Sequence, residues 1–362
     1  MGIFNFKYTD EAAVPRPVKI WLVIGLFMLF MQIVIGGITR LTGSGLSITK
    51  WEIVTGTLPP LNEAAWLDEF DKYKATPQYQ KINAGMSLGE FKFIYFWEYL
   101  HRLWARWMGV VFAVPFVWFL RRGMLPRSLV GRLGGVIGLA ALAASFGWIM
   151  VASGLVNRPW VNAYKLTLHL TIGFSVFAWL LWATLHVFQP TVPKITGAVN
   201  LKKWTLGISL LALVQFMLGG VMSGMKAGLF FPTWPDMNGE YLPAVLLDVG
   251  QWNVENFVNY DSNPFMPALI HVLHRNTAYL LTIMVLWLFF HNLKAQSTPI
   301  YRTGNYVLIT MLVTQVLLGI LTVVNCKAHI PVGLGELHQM GGVLLLAVLI
   351  FMNYQLRGSS PK

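Results

Sequence analysis

Charge and cysteine are scarce in this chain. Of 362 residues only 12% are charged, Asp and Glu together number 15, and there is one cysteine, Cys326. A single thiol excludes an internal disulfide, a thiolate-ligated iron–sulfur cluster and a C-x-x-C-H haem attachment. So little charge, against about 25% in an ordinary soluble domain, excludes a water-soluble globule. What fills the chain is apolar: 56% of residues are hydrophobic, with 15 Trp, 12 Tyr and 23 Phe. That aromatic content excludes disorder and a collagen-like repeat. Apolar residues in this excess need an apolar solvent, and the bilayer supplies one.

Eight apolar stretches are long enough to cross a hydrocarbon core of about 30 Å as helices. They run from Ile20 to Thr39, Phe93 to Leu120, Leu133 to Val156, Tyr164 to Val187, Trp204 to Gly224, Met266 to Phe290, Asn305 to Val324 and Gly335 to Tyr354. Backbone polar groups in lipid must be bonded within the segment, which makes these helices, whereas a barrel would show alternating segments of about ten residues. The first stretch is too long for a signal-peptide core and has no small-residue cleavage site after it, so it is expected to be retained. The fold class is therefore all-α and membrane-integral.

The net charge of +12 gains its meaning from where the bases fall. Lys7, Arg16, Lys19, Arg121, Arg122, Arg127, Arg132, Lys194, Lys202, Lys203, Lys294 and Arg302 all flank one side of the spans. The opposite side carries two long loops, residues 40–92 and 225–265, in which acids balance or outnumber bases. By the positive-inside rule both termini are cytoplasmic, and the long loops face out. No basic stripe with interleaved aromatics appears, so nucleic acid is not an expected partner.

The chain repeats itself. At an offset of 183 positions, Gln32 to Pro60 aligns with Gln215 to Pro243 without a gap, and Gln32/Gln215, Gly36/Gly219, Gly37/Gly220, Gly45/Gly228, Leu46/Leu229, Trp51/Trp234, Gly56/Gly239 and Pro60/Pro243 are identical. A repeat of four spans restores the same orientation, which gives parallel copies. Two four-helix bundles follow, residues 1–195 and 196–362. Further along, His101-Arg102 aligns with His274-Arg275, and His169 aligns with His338.

An intramembrane imidazole is a functional candidate because its ring nitrogens need partners that lipid lacks. One such histidine is more often a satisfied helix–helix contact. Four at matching depth in two repeats point to ligation instead. Histidines from two helices of one bundle can meet in its core, and haem iron accepts two axial imidazoles. A closed zinc site needs four ligands, so zinc or copper fits less well. The expectation is one haem per bundle, with His101/His169 and His274/His338 as axial pairs.

Haem propionates need cations, and Arg102, Arg106 and Arg275 lie within two turns of these histidines, although arginines here also suit lipid phosphates. Trp97, Trp104 and Trp107 read as an interfacial belt. Glu98, one turn before His101, shares its helix face and is a candidate acid, base or nucleophile. Its bland alternative is an ion pair with Arg102. The second repeat has His271 at that position, so one bundle is expected to be reactive and the other to transfer electrons. Gly36-Gly37 and Gly219-Gly220 lie inside apolar helices and read as close packing rather than phosphate turns. Thr42-Gly43-Ser44-Gly45 reads as a helix exit. His186, His291 and His329 do not repeat and receive no role.

From Ile35-Gly-Gly-Ile-Thr-Arg-Leu-Thr-Gly-Ser-Gly-Leu46, through Glu98-Tyr-Leu-His-Arg102 and His274-Arg275, to Gly335-Glu-Leu-His-Gln339, the chain resembles the haem A synthases over nearly its whole length. The resemblance implies oxidation of the C8 methyl of haem O to a formyl group, by successive hydroxylations to a gem-diol that loses water. It puts the substrate haem in the N-terminal bundle, here on His101 and His169 with Glu98 catalytic. It puts haem b in the C-terminal bundle, here on His274 and His338, as electron relay. It further implies the bacterial inner membrane, an assembly role toward cytochrome oxidase, a haem O synthase as substrate donor, and room for a homo-oligomer. Some members of the family carry a cysteine pair in the first outer loop. This chain has no cysteine before Cys326, which excludes any mechanism that needs those thiols. The rivals are a bis-histidine cytochrome that only passes electrons and, less well matched, a transporter.

Overall fold

The computed structural model describes residues 8–10, 14–50, 58–155, 158–193, 195, 199–294 and 298–357. Lys7, Trp51, Gly56, Val156 and Lys194 lie outside them, as does the side chain of Lys294. Eight helices are long and apolar enough to span a membrane. They are α1 (Arg16–Leu41), α4 (Leu88–Arg121), α5 (Arg127–Gly154), α6 (Ala163–Phe188), α7 (Val199–Gly224), α10 (Phe265–Lys294), α11 (Pro299–Val324) and α12 (Val332–Gln355). Short helices α2 (Glu63–Lys74) and α3 (Pro77–Lys81) lie between α1 and α4, and α8 (Ala227–Phe230) and α9 (Val254–Val258) between α7 and α10. No strand occurs among the described residues.

Seven of the eight expected spans fall within one helix, the third, Leu133 to Val156, runs past the end of α5 at Gly154, and local chemistry sets the starts. Pro15, Pro126 and Pro331 immediately precede α1, α5 and α12, where fixed φ and a missing N–H cost nothing. Ser87 and Glu90 form a reciprocal capping box on α4. Asn162 accepts from the N–H groups of Tyr164 and Lys165 at the start of α6. At the end of α1, Gly43 takes φ +70°, and its N–H and that of Ser44 donate to Arg40 and Thr39. This left-handed C-terminal cap is the helix exit read from Thr42–Gly45. Large apolar side chains along the outside of the helices, such as Phe27, Val114, Ile283 and Leu317, remain exposed, as lipid contact requires.

The chain divides into two compact units, Met1–Lys165 with Ile172–Pro190, and Leu166–Thr171 with Thr191–Lys362. In the first, α1 packs against α4. With 34 residues, α4 is about 51 Å long and outruns the hydrocarbon core. Its first turns carry a small aromatic cap, in which Phe91 stacks on Phe70 and Tyr73 at ring distances of 4.9 and 5.2 Å. In the second unit α7 packs against α10 and α12, α10 against α11, and α11 against α12. One apolar cluster, including Ile208, Leu288, Leu308 and Leu349, fills the half of this unit remote from the α7–α10 loop. Toward that loop its last members on α7 and α11 are Phe216 and Val316, one turn before Gly219 and Gly319.

Phe91→Ala is expected to remove about 3–5 kcal/mol from the aromatic cap. Limited trypsin digestion checks this, with faster cleavage between Leu58 and Ser87 and the spanning helices still intact.

Candidate functional site

Helices that cross closely leave no room for a side chain on both partners, and at three crossings the occupant is an imidazole facing a glycine. A Cβ added to Gly36 on α1 would come within 2.9 Å of Cε1 of His101 on α4. The same construction at Gly219 on α7 meets His274 of α10 at 3.1 Å, and at Gly319 on α11 it meets His338 of α12 at 2.9 Å. Such approaches are below ordinary van der Waals contact, so any larger residue there would make the ring shift. The second glycine of the α7 pair, Gly220, lies against Thr167 of α6, its added Cβ 3.0 Å from the hydroxyl oxygen. Close packing is thus what these glycines serve, and three of the four expected ligands are what they accommodate.

One turn before each of those glycines stands a glutamine. Gln32 Nε2 lies 3.1 and 3.3 Å from Nδ1 and Nε2 of His101 and 3.3 Å from its carbonyl oxygen. Gln215 Nε2 lies 3.2 Å from Nε2 of His274, and Gln315 Nε2 donates to the carbonyl of His338 at 2.8 Å. His338 lies within Coulombic reach of His274, so α10 and α12 bring the two imidazoles of the second unit to one region. His169, on α6, falls in the Leu166–Thr171 segment that groups with the second unit.

The donor set can be tested against an iron porphyrin from its unsatisfied atoms. Nδ1 of His274 and Nδ1 of His338 are buried with no hydrogen-bond partner, and so is Oε1 of Gln32, Gln215 and Gln315. Both residues are half-buried. No group of three or more His, Cys, Asp or Glu side chains comes together among the described residues. Paired imidazoles without a third ligand suit an axially ligated haem and not a closed zinc site. The residues present fit the group.

Glu98 is buried and its carboxylate is fully engaged. Oε2 accepts from the Ser47 N–H and hydroxyl, both at 2.7 Å, and from the Ile48 N–H at 2.8 Å. Oε1 accepts from Arg102 at 2.5 Å, the ion pair that the i, i+4 spacing allowed. Arg102 also reaches the Ile48 and Lys50 carbonyls. Arg102 and Arg106 line a cavity of about 220 Å³ with Lys50, Tyr95 and Tyr99. Glu98 and Arg102 together therefore fasten the segment after α1 onto α4.

In the second unit the equivalent arginine does half of this. Arg275 donates to the Pro235 and Tyr241 carbonyls at 2.7 and 2.6 Å and lies over the Tyr241 ring. His271, buried where the first unit has Glu98, brings no charge, and its Nδ1 has no partner. Arg275 is 5% exposed, its Nε is unpartnered, and among the described residues it forms no ion pair. Asp236 is held below the usual carboxylate range by the Thr233 hydroxyl, the Gly239 N–H and, from farther off, the Arg275 charge. A buried guanidinium without a counter-ion is costly, and an anion arriving there would be stabilised.

The sequence reading missed Gln315 and Gly319, because no second copy of that pair aligns with them in the first half. The signal was available as a spacing: glutamine then glycine four residues later, on the helix preceding a candidate ligand, at 32/36, 215/219 and 315/319. Gly319→Leu or Gly219→Leu is expected to push the facing imidazole aside and cut bound haem about tenfold or more. Absorbance of the purified protein measures this, with Gly207→Leu, which has open space around it, as the control that retains pigment.

Against known families, residues 19–350 match the model of the cytochrome oxidase assembly proteins. A haem A synthase of Nitrosospira multiformis is 37% identical over 97% of this chain and 96% of its own length. One from Rhodospirillum centenum is 40% identical over 96% and 90%. The haem A synthase COX15 of Arabidopsis thaliana is 37% identical over 95% of this chain and 75% of its own.

Proposed function

Since the chain belongs to the cytochrome oxidase assembly protein family, we propose that it is an oxidoreductase that converts haem O to haem A by oxidising the C8 methyl to a formyl group. The observation that carries the haem chemistry is the pair His274 and His338, each set against a glycine and each with a buried, unpartnered Nδ1. Haem b, when bound, supplies a one-electron redox centre. His274 and His338 would hold it, with Gly219 and Gly319 giving the rings their clearance. Arg275 offers its unneutralised charge to a propionate.

His101 and His169 are the ligands of the substrate haem in this reading, which rests on the repeat and on the nest that Gly36 makes for His101. Arg102 and Arg106 face propionates there. An Arg102 drawn toward a propionate would release Oε1 of Glu98, leaving a carboxylate oxygen that can hold a proton beside the substrate. The termini face the cytoplasm of a bacterial inner membrane, where the bases flanking the spans hold them. A haem O synthase in the same membrane supplies the substrate, and a membrane electron acceptor and a homo-oligomer complete the partners.

The saturated carboxylate of Glu98 favours one rival, a bis-histidine cytochrome in which Glu98 only fastens the loop. Glu98→Gln and Ser47→Ala separate the two, because both weaken the fastening but only the first removes the acid–base group. Pigments extracted from cells and identified by mass are expected to show haem O accumulating and haem A falling about 100-fold or more in Glu98→Gln, with haem A still made by Ser47→Ala. Equal haem A from both variants and the parent would leave the cytochrome standing.

A further inference from the structure

An arginine drawn out of water beside a membrane span must have its charge answered, either by an acid of the same protein or by an anion from outside it. The two units anchor their arginines alike. Arg102 donates to the Ile48 and Lys50 carbonyls at 3.2 and 3.3 Å, and Arg275 to those of Pro235 and Tyr241 at 2.7 and 2.6 Å. What differs is the residue one turn earlier on the same helix face, Glu98 in one unit and His271 in the other. Glu98 spends the charge of Arg102 inside the protein and is itself held by donors from Ser47 and Ile48. An imidazole brings no negative charge in any protonation state. The His271 ring packs edge-on against Phe231 at 6.3 Å and lies within Coulombic reach of Arg275. Asp236, the acid within that reach, gives Oδ1 to the Thr233 hydroxyl and the Gly239 N–H. Among the described residues it forms no ion pair with Arg275.

We propose that this one position sets how firmly each unit holds a carboxylate: His271 leaves Arg275 open to it, which makes the second unit a retaining site, whereas Glu98 makes the first an exchanging one. The proposal rests on the haem reading above, the carboxylates being haem propionates. A carboxylate at Arg102 must compete with Glu98, which gives up a charge-assisted bond as it yields. One at Arg275 displaces no acid among the described residues. It also meets two buried atoms without partners, one turn apart on the helix: Nε of Arg275, and Nδ1 of His271, a donor in one neutral tautomer. Arg275 is 5% exposed and His271 4%, so the charge has little water to fall back on when the anion leaves. A substrate that must depart after reaction and a cofactor that must stay call for two sites unequal in this way.

Release of haem from the full-length protein in detergent into an excess of haem-free globin reads this, with absorbance following the transfer. His271→Glu, which copies the first unit, is expected to release the haem of the second unit about tenfold faster than the parent. His271→Gln, neutral and of similar reach, is expected to stay close to the parent. The parent loaded with haem b dimethyl ester, whose propionates carry no charge, is expected to release it as fast as His271→Glu releases haem b. That arm needs no substitution and decides alone where His271→Glu retains no pigment. Release from His271→Glu, or of the ester, as slow as that of haem b from the parent overturns the proposal, and so does equally fast release from His271→Gln. A parent that purifies without haem overturns the haem reading together with it, whereas equal rates with haem bound overturn this proposal only.

Discussion

The close approach of a histidine ring to a glycine on the neighbouring helix is the contact on which the rest of this molecule depends. An imidazole among apolar helices must satisfy its ring nitrogens and find space where interiors are packed to crystal density. Glycine supplies the space, and one helix turn earlier a glutamine supplies an amide. The result is a ring held between a glycine and a glutamine of the neighbouring helix. That the unit occurs at Gly36/His101, Gly219/His274 and Gly319/His338 turns a packing detail into a design. The helix before His169 breaks the pattern, since α5 contains no glutamine.

Charge is the second organising constraint, and the two units resolve it differently. Each has an arginine directly after a histidine, and each arginine ties the loop that precedes its helix to that helix through backbone carbonyls. In the first unit the guanidinium is neutralised by Glu98, which itself gathers three donors from Ser47 and Ile48. In the second, a neutral His271 leaves Arg275 buried and uncompensated. The same scaffold thus provides one self-contained ion pair and one charge awaiting an anion. A buried cation without an internal partner holds an arriving anionic group more tightly than a neutralised one does.

Much of this was legible in the sequence because membranes impose coarse, redundant rules. Helix number followed from length and hydropathy, and the histidines stood out because ionisable residues in spans are rare. The duplication made Gln32, Gly36, Gln215 and Gly219 visible as identical pairs, though it did not say that glutamine and glycine act together on one ring. Gln315 and Gly319 stayed hidden, since a glutamine in an apolar helix carries no signal until its neighbour is known. The partners of Glu98 were half legible. The i, i+4 spacing gave Arg102, but Ser47 and Ile48 arrive from a loop about fifty residues away, where no periodicity links them to α4.

If paired imidazoles hold iron here, the oxidised protein must carry their optical signature. Near-infrared magnetic circular dichroism distinguishes bis-imidazole ligation from histidine–methionine, histidine–thiolate and five-coordinate haem. The expected result is a bis-imidazole low-spin band that disappears in both His274→Ala and His338→Ala. A band belonging to any other ligand pair, or one that survives either substitution, would contradict it.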